Sequence, residues 1–179
     1  MKYIFLVFLF FSTSVNAQFK SARLQALGLT CAMCSNSITK SLKTIPFIET
    51  VDVDLKNTSY DLKFKDGSDV DFDMIRKKVE SAGFSVGMLV VSAEFKEVAI
   101  KNDALVMVGG QLLHFVSVKD QVLNGEKSFQ IINKFFVPLK EAKKYTSLSK
   151  SELLKTEKAG AQGKGLGADA SARVFNVTI

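Results

Sequence analysis

Along the first half of the chain the spacing of apolar residues switches repeatedly between the period of a strand and that of a helix. Phe19 opens a stretch that runs through Leu24-Gln25-Ala26-Leu27 as a first strand. Ile38, Leu42 and Ile45 then fall at i, i+4 and i+7, one face of a helix expected over residues 34–45 and stopped by Pro46. Val51-Asp52-Val53-Asp54-Leu55 alternates strictly, turns near Asn57-Thr58 and is answered by Tyr60-Asp61-Leu62-Lys63-Phe64. These are the two half-buried strands of a hairpin. After the break at Asp66-Gly67-Ser68, Phe72, Ile75, Val79 and Ala82 line a second helical face, with acids at its start and Gly83 beyond its end. Residues 84–91 read as a closing strand. The order βαββαβ is the ferredoxin-like arrangement, with both helices on one face of an antiparallel sheet and the polar hairpin residues toward water on the other.

After Val91 the texture becomes denser in apolar residues. Strands are expected over 95–100, 104–108 and 112–118, the last two joined by Gly109-Gly110. Asn124-Gly125 marks a further hairpin leading into 129–132 and 135–137, so the second half reads as a β-rich domain, a meander or a small barrel. Residues 138–155 are lysine-rich with leucines at helix-compatible positions. Gly160 to Gly167 reads as a flexible connection without the spacing of a phosphate-binding loop, and 172–179 as a last strand. The overall class is therefore α+β: a ferredoxin-like domain over 18–91, then a β-rich domain over 92–179.

The N-terminus changes the picture of compartment. Lys2, an apolar core over residues 3–11 and a polar stretch over 12–16 precede Ala17, the pattern of a secretory signal peptide, with Val15 and Ala17 as the small residues before cleavage. Its apolar core is well short of the roughly 20 residues that span a bilayer. The mature chain is expected to start at Gln18 and to be periplasmic or secreted, with no stable membrane insertion after cleavage. No cysteine stands at the cleavage point to carry a lipid. Loss of residues 1–17 removes one lysine and no acid, so the formal charge falls from +6 to +5. The lysines are interleaved with acids and form no block of like charge, so the clustered footprint of a nucleic-acid binder is missing.

Both cysteines of the chain lie in Gly28-Leu29-Thr30-Cys31-Ala32-Met33-Cys34, where the first strand hands over to the first helix. The first sulfur sits on the loop and the second in the first helical turn, so both can converge on one point near the helix N-terminus. Unpaired backbone N–H groups there favour thiolate over thiol. Thiolates select soft ions such as Cu(I), and two ligands are too few for the four-coordinate structural zinc site. With only two cysteines, any disulfide within the chain must join Cys31 to Cys34, and an oxidising compartment allows it. His114, the one histidine, sits in an apolar strand beside Phe115 and reads as a packed, hydrogen-bonded residue. Met33 reads as an adaptable apolar contact, not a third ligand.

This heptapeptide, its βαββαβ setting and the later Glu80-Ser81-Ala82-Gly83-Phe84 segment resemble the heavy-metal-associated domain family over roughly residues 20–91. Copper chaperones, the N-terminal domains of copper-exporting ATPases and the periplasmic mercury-binding protein share its GMTCxxC pattern. The resemblance implies that Cys31 and Cys34 are the metal ligands, that Thr30 helps to hold the loop, and that Phe84 lies beside the site. Phe84 also reads simply as a core aromatic opening a strand. Leu29 replaces the usual methionine, a similar-sized residue that would keep the packing beneath the loop.

The expected function is thus binding, not catalysis. The chain reads as an exported soft-metal carrier or scavenger with a surface Cys-x-x-Cys site for Cu(I), or for Hg(II) or another soft ion. A protein partner would take the metal. One alternative is a thiol-disulfide exchange protein using the same cysteines; its usual folds carry a longer βαβ core and an aromatic residue where Thr30 stands here. The other is an interaction protein with a vestigial metal site.

Overall fold

Strand β1 (Gln18–Leu27) alternates as its sequence demands and buries Phe19, Ala22, Leu24 and Ala26. The computed structural model describes residues 17–29 and 32–179, so the leader up to Asn16, together with Thr30 and Cys31, lies outside the described residues. Helix α1 (Ala32–Leu42) starts earlier than its apolar spacing predicts and is already over before Pro46, with Ile38 and Leu42 buried. Strands β2 (Ile48–Asp54) and β3 (Ser59–Phe64) form the expected hairpin, and β3 pairs in turn with β1. Helix α2 (Phe72–Ser81) is capped by Asp71, whose carboxylate accepts from the Met74 N–H at 3.1 Å, and it buries Phe72, Ile75 and Val79.

The first large departure from expectation is β4 (Ser85–Ile100). The strand expected to close at Val91 and the one expected to open at Phe95 are a single strand of 16 residues. Its first part pairs with β1, from Ser85 opposite Leu27 to Glu94 opposite Gln18. Its second part pairs with β7 (Gln121–Ile131), from Val90 opposite Gln130 to Ile100 opposite Gln121. Residues 90–94 are therefore paired on both sides, and the boundary placed after Val91 falls inside this stretch and not in a linker. Ser92-Ala93-Glu94 lies inside it. It is a strand segment whose Ser92 hydroxyl meets that of Ser128 at 2.8 Å on the helix-free face.

Beyond β4 the sheet continues without interruption through β7, β8 (Val174–Thr178), β6 (Gln111–Phe115) and β5 (Leu105–Val108), the full order being β2-β3-β1-β4-β7-β8-β6-β5. The second half is β-rich as expected, but its strand order is not that of a meander. The hairpin of β5 (Leu105–Val108) and β6 (Gln111–Phe115) turns at Gly109-Gly110, both at positive φ (52° and 79°), as a two-residue turn of this twist requires. The last strand, β8 (Val174–Thr178), inserts between β7 and β6 and runs parallel to β6. Asn124-Gly125 makes no hairpin. It lies within β7, where Gly125 at φ 71° faces Phe95 beside an irregularity that leaves one extra β4 residue, Glu97 being at φ 53°. The left-handed residue that signalled a turn serves a bulge instead.

The segment between β7 and β8 is helical more than extended. Residues 135–137 form a turn after β7, followed by α3 (Leu139–Leu148), α4 (Glu152–Thr156) and α5 (Gly160–Gly163). The glycine-rich stretch expected to be a flexible connection holds α5 and a 3-10 turn (Lys164–Leu166). Gly163 is buried so tightly against Ala159 that a Cβ there would stand 2.5 Å from the alanine methyl carbon.

One apolar core serves both halves. Rings stack edge to face from Phe19 on β1 to Phe72 on α2 (5.0 Å between centroids), from Phe72 to Phe175 on β8 (5.1 Å), and from Phe175 to Phe136 (6.1 Å). Phe129 of β7 joins through Phe19 and Phe95. A polar tie runs alongside: Arg173, just before β8, makes a two-pronged contact with Asp73 on α2 (2.9 and 3.3 Å) and also pairs with Glu157. The opposite face of the sheet is polar, as the hairpin pattern predicted, with Arg23 and Asp61 joined at 2.7 and 2.9 Å.

Because Phe175 packs on α2 and all these rings belong to one core, Phe175→Ala is expected to cost about 3–5 kcal/mol. The whole chain should lose that stability together. Hydrogen exchange read at β1 and β3 should report the same loss as exchange read at β6 and β7, whereas an unchanged β1–β3 region would show that the halves unfold separately.

Candidate metal site

The sequence places the two cysteines at the junction of β1 and α1, and the structure builds that junction from both ends. β1 finishes at Leu27, and Gly28 turns the chain at φ 85°, a conformation glycine adopts without strain. Leu29 packs against the main core, the supporting role expected of it beneath the loop. Thr30 and Cys31 are outside the described residues, as is the side chain of Met33. The helix resumes the description at Ala32, so Cys34 stands in the first turn of α1, half-buried. No acidic residue shares that turn, so nothing there offsets the positive end of the helix dipole. Cys34 is disulfide-bonded; the expected partner, Cys31, is one of the residues not described.

Phe84 reaches the loop from the other side. It follows α2, sits half-buried against the core, and its Cδ1 lies 3.9 Å from where a Cβ on Gly28 would stand. Both readings of this residue meet in that position: it is a core aromatic, and its ring borders the loop that carries the cysteines.

A contact that the sequence reading missed anchors the helix start. Ser35, next to Cys34, is buried, and its hydroxyl shares a 3.0 Å hydrogen bond with the phenol of Tyr60 on β3. The Ser35 carbonyl in turn accepts from the Thr39 hydroxyl at 2.9 Å. One signal was available: Ser35 falls on the same helical face as Ile38 and Leu42, and a polar residue on an apolar stripe needs a buried partner.

Other candidate ligands do not gather here. Among the described residues no group of three or more His, Cys, Asp or Glu side chains is placed to hold a metal. His114 lies on β6, separated from β1 by three intervening strands. It is fully buried, its Nδ1 stands 2.7 Å from the Asn176 amide oxygen, and its Nε2 is 3.4 Å from Asp103. It is the hydrogen-bonded strand residue that the sequence suggested.

Burial holds the Tyr60 phenol above its ordinary value of 10.0, with the Ser35 hydrogen bond pulling the other way. The unfolded chain therefore releases this proton at lower pH than the folded one, and the contribution to stability, complete below pH 10, is lost as pH rises past it. Tyr60→Phe should cost about 1 kcal/mol at neutral pH by leaving the Ser35 hydroxyl without its partner. It should also remove part of the fall in urea midpoint measured between about pH 9 and 11. An equal fall in both proteins would show that Tyr60 does not contribute to it.

A model of the heavy-metal-associated domain matches residues 23–85. A probable copper-transporting ATPase of Arabidopsis thaliana is 35% identical over 65 residues, which make up 36% of this chain and 6% of that protein, so this chain spans a small fraction of that relative's length. Among solved structures, a yeast copper transporter domain in apo and Cu(I)-loaded states is 25% identical, covering 36% of this chain and 88% of its own at a TM-score of 0.33. CopP from Helicobacter pylori is 26% identical, covering 37% of this chain and 97% of its own at a TM-score of 0.32. Oxidised MerP from Ralstonia metallidurans is 23% identical, covering 38% and 96% at a TM-score of 0.34. From the middle of β1 to the first residue of β4, residues 23–85, this chain carries a heavy-metal-associated domain.

Proposed function

We propose that this chain is an exported soft-metal-binding protein, a Cu(I) carrier or scavenger that holds the ion between Cys31 and Cys34 and passes it to a protein partner. The observation that carries the reading is the position of Cys34 in the first turn of α1, inside a heavy-metal-associated domain and three residues after the other cysteine. Two thiolates at a helix N-terminus suit a soft, low-coordinate cation, and two ligands leave room for an incoming donor from the acceptor during transfer. The Arabidopsis relative's name, a probable copper-transporting ATPase, points to Cu(I) among soft ions; Hg(II) is the alternative cargo on the same chemistry. Export rests on the leader over residues 1–17, and with it a periplasmic or secreted location.

Thiol-disulfide exchange is the second reading, and one observation favours it: Cys34 is disulfide-bonded. A disulfide and a bound metal exclude each other, since the metal requires deprotonated, reduced thiols. On the carrier reading the oxidised pair is a resting form that must be reduced before loading.

Titration of the reduced protein with Cu(I) against a competing chelator separates these readings. One tightly held equivalent is expected, lost in Cys31→Ser and in Cys34→Ser. Undiminished binding in either variant refutes the carrier reading. Reduction of insulin that depends on both cysteines, without tight Cu(I) binding, establishes exchange in its place.

A further inference from the structure

Although the lysines form no continuous block, the net positive charge of the chain accumulates over one stretch. Residues 134–164 hold eight lysines against three glutamates and no aspartate, a net +5 out of +6 for the whole chain. The three acids leave most of these lysines unneutralised. Glu157 accepts from the Lys134 backbone N–H at 2.8 Å and pairs with Arg173, Glu152 pairs with Lys155 at 3.1 Å, and Glu141 lies in the first turn of α3. Among the described residues, Lys134, Lys140, Lys143 and Lys144 form no ion pair.

The same surface exposes large apolar side chains. The end of β7, α3 and α4 enclose a groove of about 550 Å³ floored by Ile132, Ala142, Tyr145 and Leu154. Leu139, which lines it, is 66% exposed, and Phe135, next in the chain to the lining residue Lys134, is 54% exposed while Phe136 is fully buried. Phe135 also sits at φ 74°, a left-handed conformation unfavourable for a bulky residue. Its half-exposed ring has the Lys134 ammonium 4.9 Å and the Arg76 guanidinium of α2 5.9 Å from its centroid.

We propose that this face, α3 with Phe135 and the lysines around them, docks on an anionic bilayer surface. The lysines meet lipid phosphates, and Phe135 and Leu139 enter the interfacial layer between headgroups and acyl chains. A bilayer accepts apolar side chains that protrude, without the matched pocket a folded protein partner would have to supply, and flexible lysines suit scattered phosphates. No helix among the described residues is long and apolar enough to cross a membrane; the proposed association is at the surface.

The test uses residues 18–179, which hold every strand and helix among the described residues. Co-sedimentation is measured with phosphatidylcholine vesicles containing about one third phosphatidylglycerol and with phosphatidylcholine alone, at about 50 mM and about 500 mM salt. Binding at least about tenfold stronger to the anionic vesicles at low salt is expected. It should be lost in the Lys140→Glu, Lys143→Glu, Lys144→Glu triple variant and weakened in Phe135→Ser with Leu139→Ser; all five residues are exposed, and circular dichroism confirms that the fold is kept. The chain has no tryptophan, so Leu139→Trp is a sole reporter whose emission should shift to the blue on anionic vesicles. Equal binding to both vesicle types, or binding unaffected by either set of substitutions, overturns the proposal. So does charge-dependent binding with no blue shift, which assigns the face to a soluble acidic partner. Cu(I) binding, measured separately, is untouched by any of these outcomes.

Discussion

The double pairing of residues 90–94 of β4 is the constraint on which the rest of the structure depends. A strand with neighbours on both sides has its backbone donors and acceptors committed in both directions, and its side chains alternate between faces that cannot be exchanged. On the β1 side this register places Ala93 opposite Phe19 and Leu89 opposite Leu24, beneath the helices of the heavy-metal-associated domain. On the β7 side it places Val91 opposite Phe129. A single set of hydrogen bonds thus builds the floor of two cores, and the rings of Phe19, Phe72, Phe175 and Phe136 fuse those cores into one.

The described residues on either side of the cysteines are held by this frame. Leu29 packs on the core, Phe84 stands beside Gly28, and Ser35 hydrogen-bonds Tyr60 of β3. The second half contributes at one remove. Arg173 grips Asp73 in the first turn of α2, and the Gln111 side chain donates to the Val70 carbonyl at 2.8 Å just before it. The helix that leads to Phe84 is thereby held from the C-terminal region of the chain.

Much of the first domain was legible because its signals are local. Val51-Asp52-Val53 announces a strand and Phe72, Ile75 and Val79 a helix within a few residues, and the two cysteines stand in one short motif. What escaped the sequence depends on distant partners. Ser35 and Tyr60 are 25 positions apart, and Arg173 and Asp73 are 100 apart; neither spacing leaves a periodic trace. Asn124-Gly125 has the chemistry of a turn, but its positive φ is used in a bulge that β4 imposes. The parallel insertion of β8 is a choice of neighbour, and period-two alternation names a strand without naming what it pairs with.

The bulge also says where this architecture can change length. The extra residue of β4 is absorbed between Phe95 and Val98, past Glu94, the last position that β4 shares with β1. An insertion within 90–94 would turn over the faces of both halves at once, whereas one at Glu97 turns over only the outer end that pairs with β7 alone. The longest strand can therefore take up or shed a residue at this bulge with the least disturbance, at the end away from Leu27 and the cysteines.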